Sequence, residues 1–168
     1  MLGKEAALFV PSGTMSNQLA LMSWTNRGDE VIVSADCHIF MHEVGAAAVL
    51  SGANLRQLSF ENGIYDPRLI EKAIRPDDIH EPKTALICME NALANGRVVP
   101  LDVMEEVYAL AKKNDVAVHL DGARIFNAAE ALGVGVKDVA KYADTISCCL
   151  SKGLCAPVGS VLAGSAAT

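Results

Sequence analysis

Short apolar runs alternate along the chain with longer stretches in which apolar residues recur at helical spacing. The apolar runs are AALFV, EVIVS, LRQLSF, TALICME, VAVHL and TISCCL, and a helical pattern follows each of the first five. Runs such as TALIC and TISCCL are almost continuously apolar, which is typical of parallel strands that are buried on both faces. The alternation therefore predicts an α/β fold, a doubly wound and mostly parallel sheet covered by helices.

The last apolar segment breaks this rhythm. GSVLAG, residues 159–164, follows TISCCL too closely for a helical crossover, so we expect it to return as one antiparallel strand. The 168 residues, 51% of them hydrophobic, suffice for one domain with a substantial core and are too few for two.

Charge and cysteine content argue against several classes of function. A net charge of −6 without clustered Lys and Arg argues against a nucleic-acid-binding surface. No apolar run reaches the roughly 20 residues of a membrane span, and the N-terminus lacks signal-peptide features. The five cysteines are odd in number and show no CxxC spacing, which disfavours disulfides and structural zinc. These features predict a soluble, cytoplasmic protein.

Polar residues cluster where the predicted strands end. Ligands of open parallel sheets bind beyond the carboxyl ends of the strands, so these residues are expected to converge on one crevice. The residues at the five ends are Ser12 to Thr14, Asp36 to His38, Glu90 with Asn91, Asp121, and Ser151 with Lys152.

Lys152 is the most informative of these residues. It stands in SCCLSKGLCAPVGS among small and apolar residues, and no other charged residue lies between Asp144 and the C-terminus. A hydrated surface lysine is the ordinary alternative. The apolar surroundings instead favour a lysine that forms a Schiff base with an aldehyde, as lysines that hold pyridoxal phosphate do.

The stretch VAVHLDGAR places Asp121 directly after a buried strand. A buried carboxylate is costly unless it meets a cation or several donors, and the protonated ring nitrogen of pyridoxal phosphate is such a cation. Capping of the following turn is the alternative. Arg124 has the geometry to hold a carboxylate or phosphate, or else it forms a structural ion pair with Asp121.

The stretch PSGTMSN joins a predicted strand to a helix. Gly13 permits close backbone approach, and the first-turn amides with the hydroxyls of Ser12 and Thr14 form a candidate phosphate site. A simple helix cap by either hydroxyl is the alternative. The stretch matches neither a Walker loop nor GxGxxG, which disfavours a nucleotide-binding domain as a further alternative.

The four histidines differ in their setting. His38 follows the second strand, where its ring would stack on a planar ligand or shuttle protons, with a structural role as the alternative. His42 lies four residues later, but no acidic or Cys partner at ligand spacing completes a site, so we expect no metal. His119 is expected to face away from the crevice as a structural residue, and His80 lies in a loop.

These segments resemble the pyridoxal-phosphate-dependent threonine aldolases, which belong to the β-eliminating lyase group and have the aspartate-aminotransferase-like fold. The similarity runs in order through LGKEAALFVPSGTMSNQLAL, GDEVIV, RPDDIH, VHLDGARIFNAA and CLSKGLCAPVGSVLAG. The resemblance implies cleavage of threonine or allo-threonine to glycine and an aldehyde. By the same resemblance Lys152 tethers the cofactor, Asp121 pairs with its ring nitrogen, His38 stacks on the ring, residues 13–14 bind the phosphate and Arg124 holds the substrate carboxylate.

The chain departs from that family pattern in two ways. Many members carry Glu-Asn-Thr-His-Asn where this chain reads ENALANG, so Leu93 stands at the position of a second active-site histidine. The base would then be His38, His42 or a held water. Relatives also continue in both directions, so we expect residues 1–168 to be a single cofactor-binding large domain truncated at both ends.

The resemblance leaves the assembly and the reaction partly open. The full-length protein is expected to be a homodimer or homotetramer that acts on a small amino acid. The alternatives to aldol cleavage are β-elimination or transamination with the same cofactor. The alternative that is not an enzyme is a catalytically silent fragment, which keeps a cofactor-binding or dimer-forming surface.

Overall fold

The computed structural model describes residues 1–167, and its centre is one seven-stranded sheet in the order β1-β7-β6-β5-β4-β2-β3. The strands are β1 (Ala6–Val10), β2 (Glu30–Ser34), β3 (Asn54–Leu58), β4 (Thr84–Glu90), β5 (Ala117–Asp121), β6 (Thr145–Cys149) and β7 (Ser160–Gly164). Strands β6, β5, β4, β2 and β3 are parallel, whereas β7 runs antiparallel to both of its neighbours, β6 and β1. The predicted mostly parallel sheet with one antiparallel strand is confirmed.

Helices occupy the connections between the parallel strands. They are α1 (Gly13–Trp24), α2 (His38–Met41), α3 (Pro67–Ala73), α4 (Leu101–Lys113), α5 (Ile125–Leu132) and α6 (Val136–Ala140). Local chemistry sets their ends. Helix α3 begins where Asp66 accepts the backbone N–H of Arg68 and Pro67 takes the first helical position, and α5 ends at Gly133, whose φ of 67° is left-handed. None of the helices in this range combines the length and apolarity that a bilayer crossing requires.

The helices cover both faces of the sheet, as predicted for a doubly wound fold. On one face, α3 to α6 pack on alternate strand residues such as Ile32, Ile87 and Met89. On the other face, Leu21 of α1 and Ile39 of α2 pack on the residues between them, including Val31, Val33, Leu86 and Cys88. Because successive side chains of a strand point to opposite faces, the apolar runs are buried on both sides.

One predicted helix is wrong. The pattern HEVGAAAVL, residues 42–50, predicted a continuous helix, but the chain forms the four-residue α2 and then a π-helical turn at Ala47–Ser51. Val44 and Gly45 between them have φ of 54° and 69°. A right-handed helix excludes these left-handed angles, so the chain reverses its path here. Helix α6 and a short 3-10 turn at Glu61–Gly63 were not predicted from the pattern.

The topology brings five strand ends to one edge of the sheet. Strands β2, β4, β5 and β6 are parallel, and β1 has the same direction as β6 because both are antiparallel to β7. The residues that follow these strands therefore share the carboxyl-end edge, as the sequence predicted.

Candidate functional site

Asp121 is the last residue of β5 and lies at the centre of this edge. Its carboxylate is buried, with 4% of the residue exposed. Oδ2 accepts a hydrogen bond from Asn17 Nδ2 at 2.8 Å, and Oδ1 accepts one from the backbone N–H of Ala123 at 3.0 Å and a longer one from Ser147 Oγ at 3.4 Å. Within residues 1–167 no Lys, Arg or His nitrogen lies within 4.0 Å of it. The site thus holds a buried carboxyl group that is hydrogen-bonded but has no ion-pair partner among residues 1–167.

Asn17 on α1 organises the groups around this carboxylate. Its Nδ2 donates to Asp121 Oδ2 and to Glu43 Oε1, both at 2.8 Å. Its Oδ1 accepts from Ser147 Oγ at 2.7 Å and faces His119 Nε2 at 3.1 Å. Sequence reasoning missed Asn17 because its partners lie far away along the chain. The available signal was a polar residue within PSGTMSN, one turn past the predicted cap.

His119 lies directly behind this network, which corrects the prediction that it faces away from the crevice. Residues 119 and 121 are two apart on one strand, so their side chains point to the same face. Asn17 Oδ1 accepts from His119 Nε2, so Nε2 carries the proton and Nδ1 accepts from Thr145 Oγ1 at 3.0 Å. Complete burial lowers the pKa of His119 to about 4. The prediction that His119 is structural stays a prediction, supported by these contacts.

His38 opens α2 beside the same network. Its backbone N–H donates to Glu90 Oε2 at 3.0 Å, and its ring Nδ1 lies 2.9 Å from Glu43 Oε1. The exposed His42 stands with its ring centroid 5.5 Å from that of His38. The structure therefore places His38 at the crevice, within reach of the buried carboxylates.

Two acidic residues join His38 where sequence spacing had indicated none. Ligand-type atoms of His38, Glu43 and Asp121 all lie within 4.8 Å of one another. The statement that no acidic partner completes a site with the histidines is thus wrong, because Glu43 follows His38 by five residues and Asp121 arrives from β5. The prediction that the site holds no metal stays a prediction. Each of the three side chains is already hydrogen-bonded within the network.

Glu90 ends β4 and lies opposite Asp121 in the strand register. Burial raises the pKa of Glu90, and the nearby charge of Asp121 raises it further.

Three residues after Glu90, Leu93 is buried in the core, and its Cδ1 would lie 2.9 Å from a Cβ at Gly63. Leu93 thus fills with an apolar side chain the position that the family resemblance gives to a histidine. It borders a cavity of about 210 Å³ together with Glu90 and Cys37.

The turn before α1 supports both interpretations of PSGTMSN. Ser12 Oγ accepts the backbone N–H of Met15 at 3.1 Å, which is a helix cap. The backbone N–H groups of Gly13 and Thr14 lie in the first turn of α1, where the helix offers them no carbonyl acceptor, so they are suited to bind an anion. A Cβ at Gly13 would lie 2.9 Å from Cys149 Sγ, so the turn is pressed against β6. The phosphate site stays a prediction.

Lys152 lies in the connection between β6 and β7. The connection is closed by backbone hydrogen bonds from Leu150 N to Gly159 O and from Ala156 N to Leu150 O, both 3.0 Å long. Lys152 is half-buried, and its neighbour Gly153 packs so closely on Asn127 of α5 that a Cβ would lie 2.4 Å from Asn127 Oδ1. Within residues 1–167, neither Lys152 nor the exposed Arg124 forms an ion pair.

Comparison with known proteins gives a consistent result. A family model described as beta-eliminating lyase matches residues 1–168. The chain is 47% identical to low-specificity L-threonine aldolase 1 of Arabidopsis thaliana over 98% of its length, and 42% identical to the low specificity L-threonine aldolase of Escherichia coli over 96%. It covers 48% and 49% of those two proteins, so it spans about half the length of the curated relatives that it matches.

The solved structure of Leishmania major threonine aldolase has the same fold. It superposes on 94% of this chain with a TM-score of 0.84 at 23% identity, and the match covers 46% of the Leishmania chain.

The buried His119 makes stability depend on pH. Its pKa is about 4 in the folded protein and about 6.5 in an unfolded chain, so the unfolded state takes up a proton first as the pH falls. The free energy of unfolding should therefore lose about 3 kcal/mol between pH 7 and pH 4 through this residue alone. Urea unfolding of the wild type and of His119→Gln across this range should show a steeper loss in the wild type. The exposed His80→Gln is the matched control, and parallel curves for the wild type and His119→Gln would contradict the assignment.

Proposed function

Because the chain belongs to the beta-eliminating lyase family, we propose that it forms the cofactor-binding part of a pyridoxal-phosphate-dependent aldolase. The enzyme would cleave a β-hydroxy-α-amino acid such as threonine or allo-threonine to glycine and an aldehyde. The observation that carries the proposal is the buried carboxylate of Asp121, which has no ion-pair partner among residues 1–167, at the edge where five strands end. The names of the relatives supply the reaction class.

The residues present fit pyridoxal phosphate. Asp121 has hydrogen-bond donors on both oxygens and, in the described part of the chain, no Lys, Arg or His nitrogen within 4.0 Å, so a protonated ring nitrogen would be its cationic partner. The amino end of α1, with Ser12, Gly13 and Thr14, would hold the phosphate group. Lys152 stands on the loop after β6, at the same edge, as the amine that would tether the aldehyde.

When bound, the cofactor would supply an electron sink for the electrons of the breaking Cα–Cβ bond. The contributions of the protein are binding, orientation and proton transfer. Asp121 would keep the ring nitrogen protonated, and Arg124, exposed at the start of α5, would hold the substrate carboxylate. His38 would lie against the ring and take the proton of the β-hydroxyl group, because Leu93 leaves no imidazole at the alternative position.

The proposal also covers the oligomeric state of the protein and its location in the cell. The full-length protein would be a homodimer or homotetramer, in which segments beyond this single large domain complete the site. The five cysteines are all free thiols, and four of them are buried, which supports a reducing compartment such as the cytoplasm.

Lys152 should be the residue that holds the cofactor. Incubation with pyridoxal phosphate, borohydride reduction and peptide mapping should place the label on Lys152, and Lys152→Arg should abolish it. Lys113→Arg, which removes an exposed lysine on α4, is the matched control and should leave the label unchanged. A label on another lysine of the folded protein, or none, would overturn the assignment.

Asp121→Asn should slow catalysis strongly while leaving the fold intact. The amide keeps the size of the side chain but loses the charge that pairs with the ring nitrogen, so cleavage of threonine by the full-length protein should fall by on the order of 100- to 1,000-fold. Asp77→Asn, an exposed aspartate at the opposite edge of the sheet, should retain wild-type turnover. Glycine and aldehyde are the expected products, whereas ammonia and a keto acid would indicate β-elimination. Near wild-type turnover of Asp121→Asn would refute the role of this carboxylate.

A further inference from the structure

Glu43 is a buried carboxylate that the proposed reaction does not use. It lies two residues after α2, immediately before the left-handed pair Val44 and Gly45, which turns the chain away at this point. Its side chain is 0% exposed. A charged group in such a place is costly unless several donors satisfy it, so the contacts of Glu43 call for an explanation.

Three donors converge on this carboxylate. Asn17 Nδ2 donates to Oε1 at 2.8 Å and Gln18 Nε2 donates to Oε2 at 2.6 Å. The ring Nδ1 of His38 also lies 2.9 Å from Oε1. A carboxylate oxygen that receives an amide N–H can also accept from an imidazole N–H, and this arrangement favours a proton on the histidine nitrogen that faces it. Both amides come from α1, which is packed on the sheet, and this fixes the position of the carboxylate.

The two sides of the His38–Glu43 contact differ in exposure. The His38 side chain is 35% exposed, whereas Glu43 is fully covered. With Nδ1 engaged by Glu43, the neutral imidazole has one remaining nitrogen, Nε2, which bears the lone pair. Glu43 therefore determines both where the ring lies and which of its atoms accepts a proton.

We propose that Glu43 is a positioning residue that fixes the ring of His38 and selects the tautomer protonated on Nδ1, so that Nε2 is the proton-accepting atom at the crevice. The part of this inference that concerns cofactor and substrate rests on the proposed function. The tautomer itself does not, because it is a property of the protein alone.

The first experiment reads the tautomer directly. Ring ¹⁵N NMR of the purified protein without cofactor, at a pH where the ring is neutral, should show a protonated Nδ1 and an unprotonated Nε2 for His38. His38→Gln assigns the signals by removing them. Glu43→Ala should lose the Nδ1-protonated form, and Glu43→Gln, which keeps an oxygen acceptor, should restore it. A wild-type ring protonated on Nε2, or unchanged signals in Glu43→Ala, would overturn the proposal.

The second experiment measures binding of pyridoxal phosphate by fluorescence titration. Loss of a hydrogen bond to a charged group should weaken binding by about 10- to 100-fold in Glu43→Ala, and Glu43→Gln should recover most of it. Glu106→Ala, which removes an exposed glutamate of α4, is the control and should bind as the wild type does.

The two readouts separate the two ideas. A wild type that binds no cofactor would refute the proposed function, whereas the NMR spectrum would still decide the role of Glu43. If Glu43→Ala does not fold, the wild-type spectrum alone decides the tautomer. If Glu43→Ala folds and binds pyridoxal phosphate as tightly as the wild type does, the link between Glu43 and cofactor binding is refuted.

Discussion

The amide of Asn17 holds two buried carboxylates side by side, and the candidate site depends on this contact. Asp121 and Glu43 are both carboxyl groups in a region shielded from water, where two like charges would repel each other strongly. Each receives one N–H of the same amide, at 2.8 Å. The carbonyl oxygen of that amide then faces Ser147 and His119, which fixes the proton on His119 Nε2. One side chain on α1 thus connects polar groups of β5 and β6 with Glu43, which follows α2.

Much of the fold could be predicted from the sequence because its signals are local. Strand runs such as EVIVS and TALICME match β2 and β4 residue for residue, since parallel strands buried on both faces are apolar along most of their length. The helix predicted over residues 42–50 fails at one point of the chain. Its composition suits a helix, but Val44 and Gly45 have left-handed backbone angles that the apolar periodicity does not record.

The residues of the candidate site also fall into two groups, those that local sequence signals reveal and those that only the packing of the fold reveals. Asp121, His38, Lys152 and the turn before α1 could be found because each follows a recognisable strand. Asn17 and Glu43 could not, because a polar residue within a helix or just after one has many ordinary uses. Their importance arises only when packing brings α1, α2 and β5 together. The direction of one side chain was also predicted wrongly. Residues 119 and 121 are two apart on a strand, so their side chains point to the same face, and His119 should have been expected beside Asp121.

The position of β7 between β6 and β1 has a consequence for how the protein is made. Ala6 pairs with Gly164, so β1 finds its partner strand only after the ribosome has also made residues 11–164. At about 5–20 residues per second, β1 waits roughly 10 to 30 seconds with its backbone unpaired. Leu8 and Phe9, which stay more than half exposed even in the folded sheet, make this strand an apolar edge during that time. β1 is therefore the strand of this sheet that most needs a chaperone while the chain is being made.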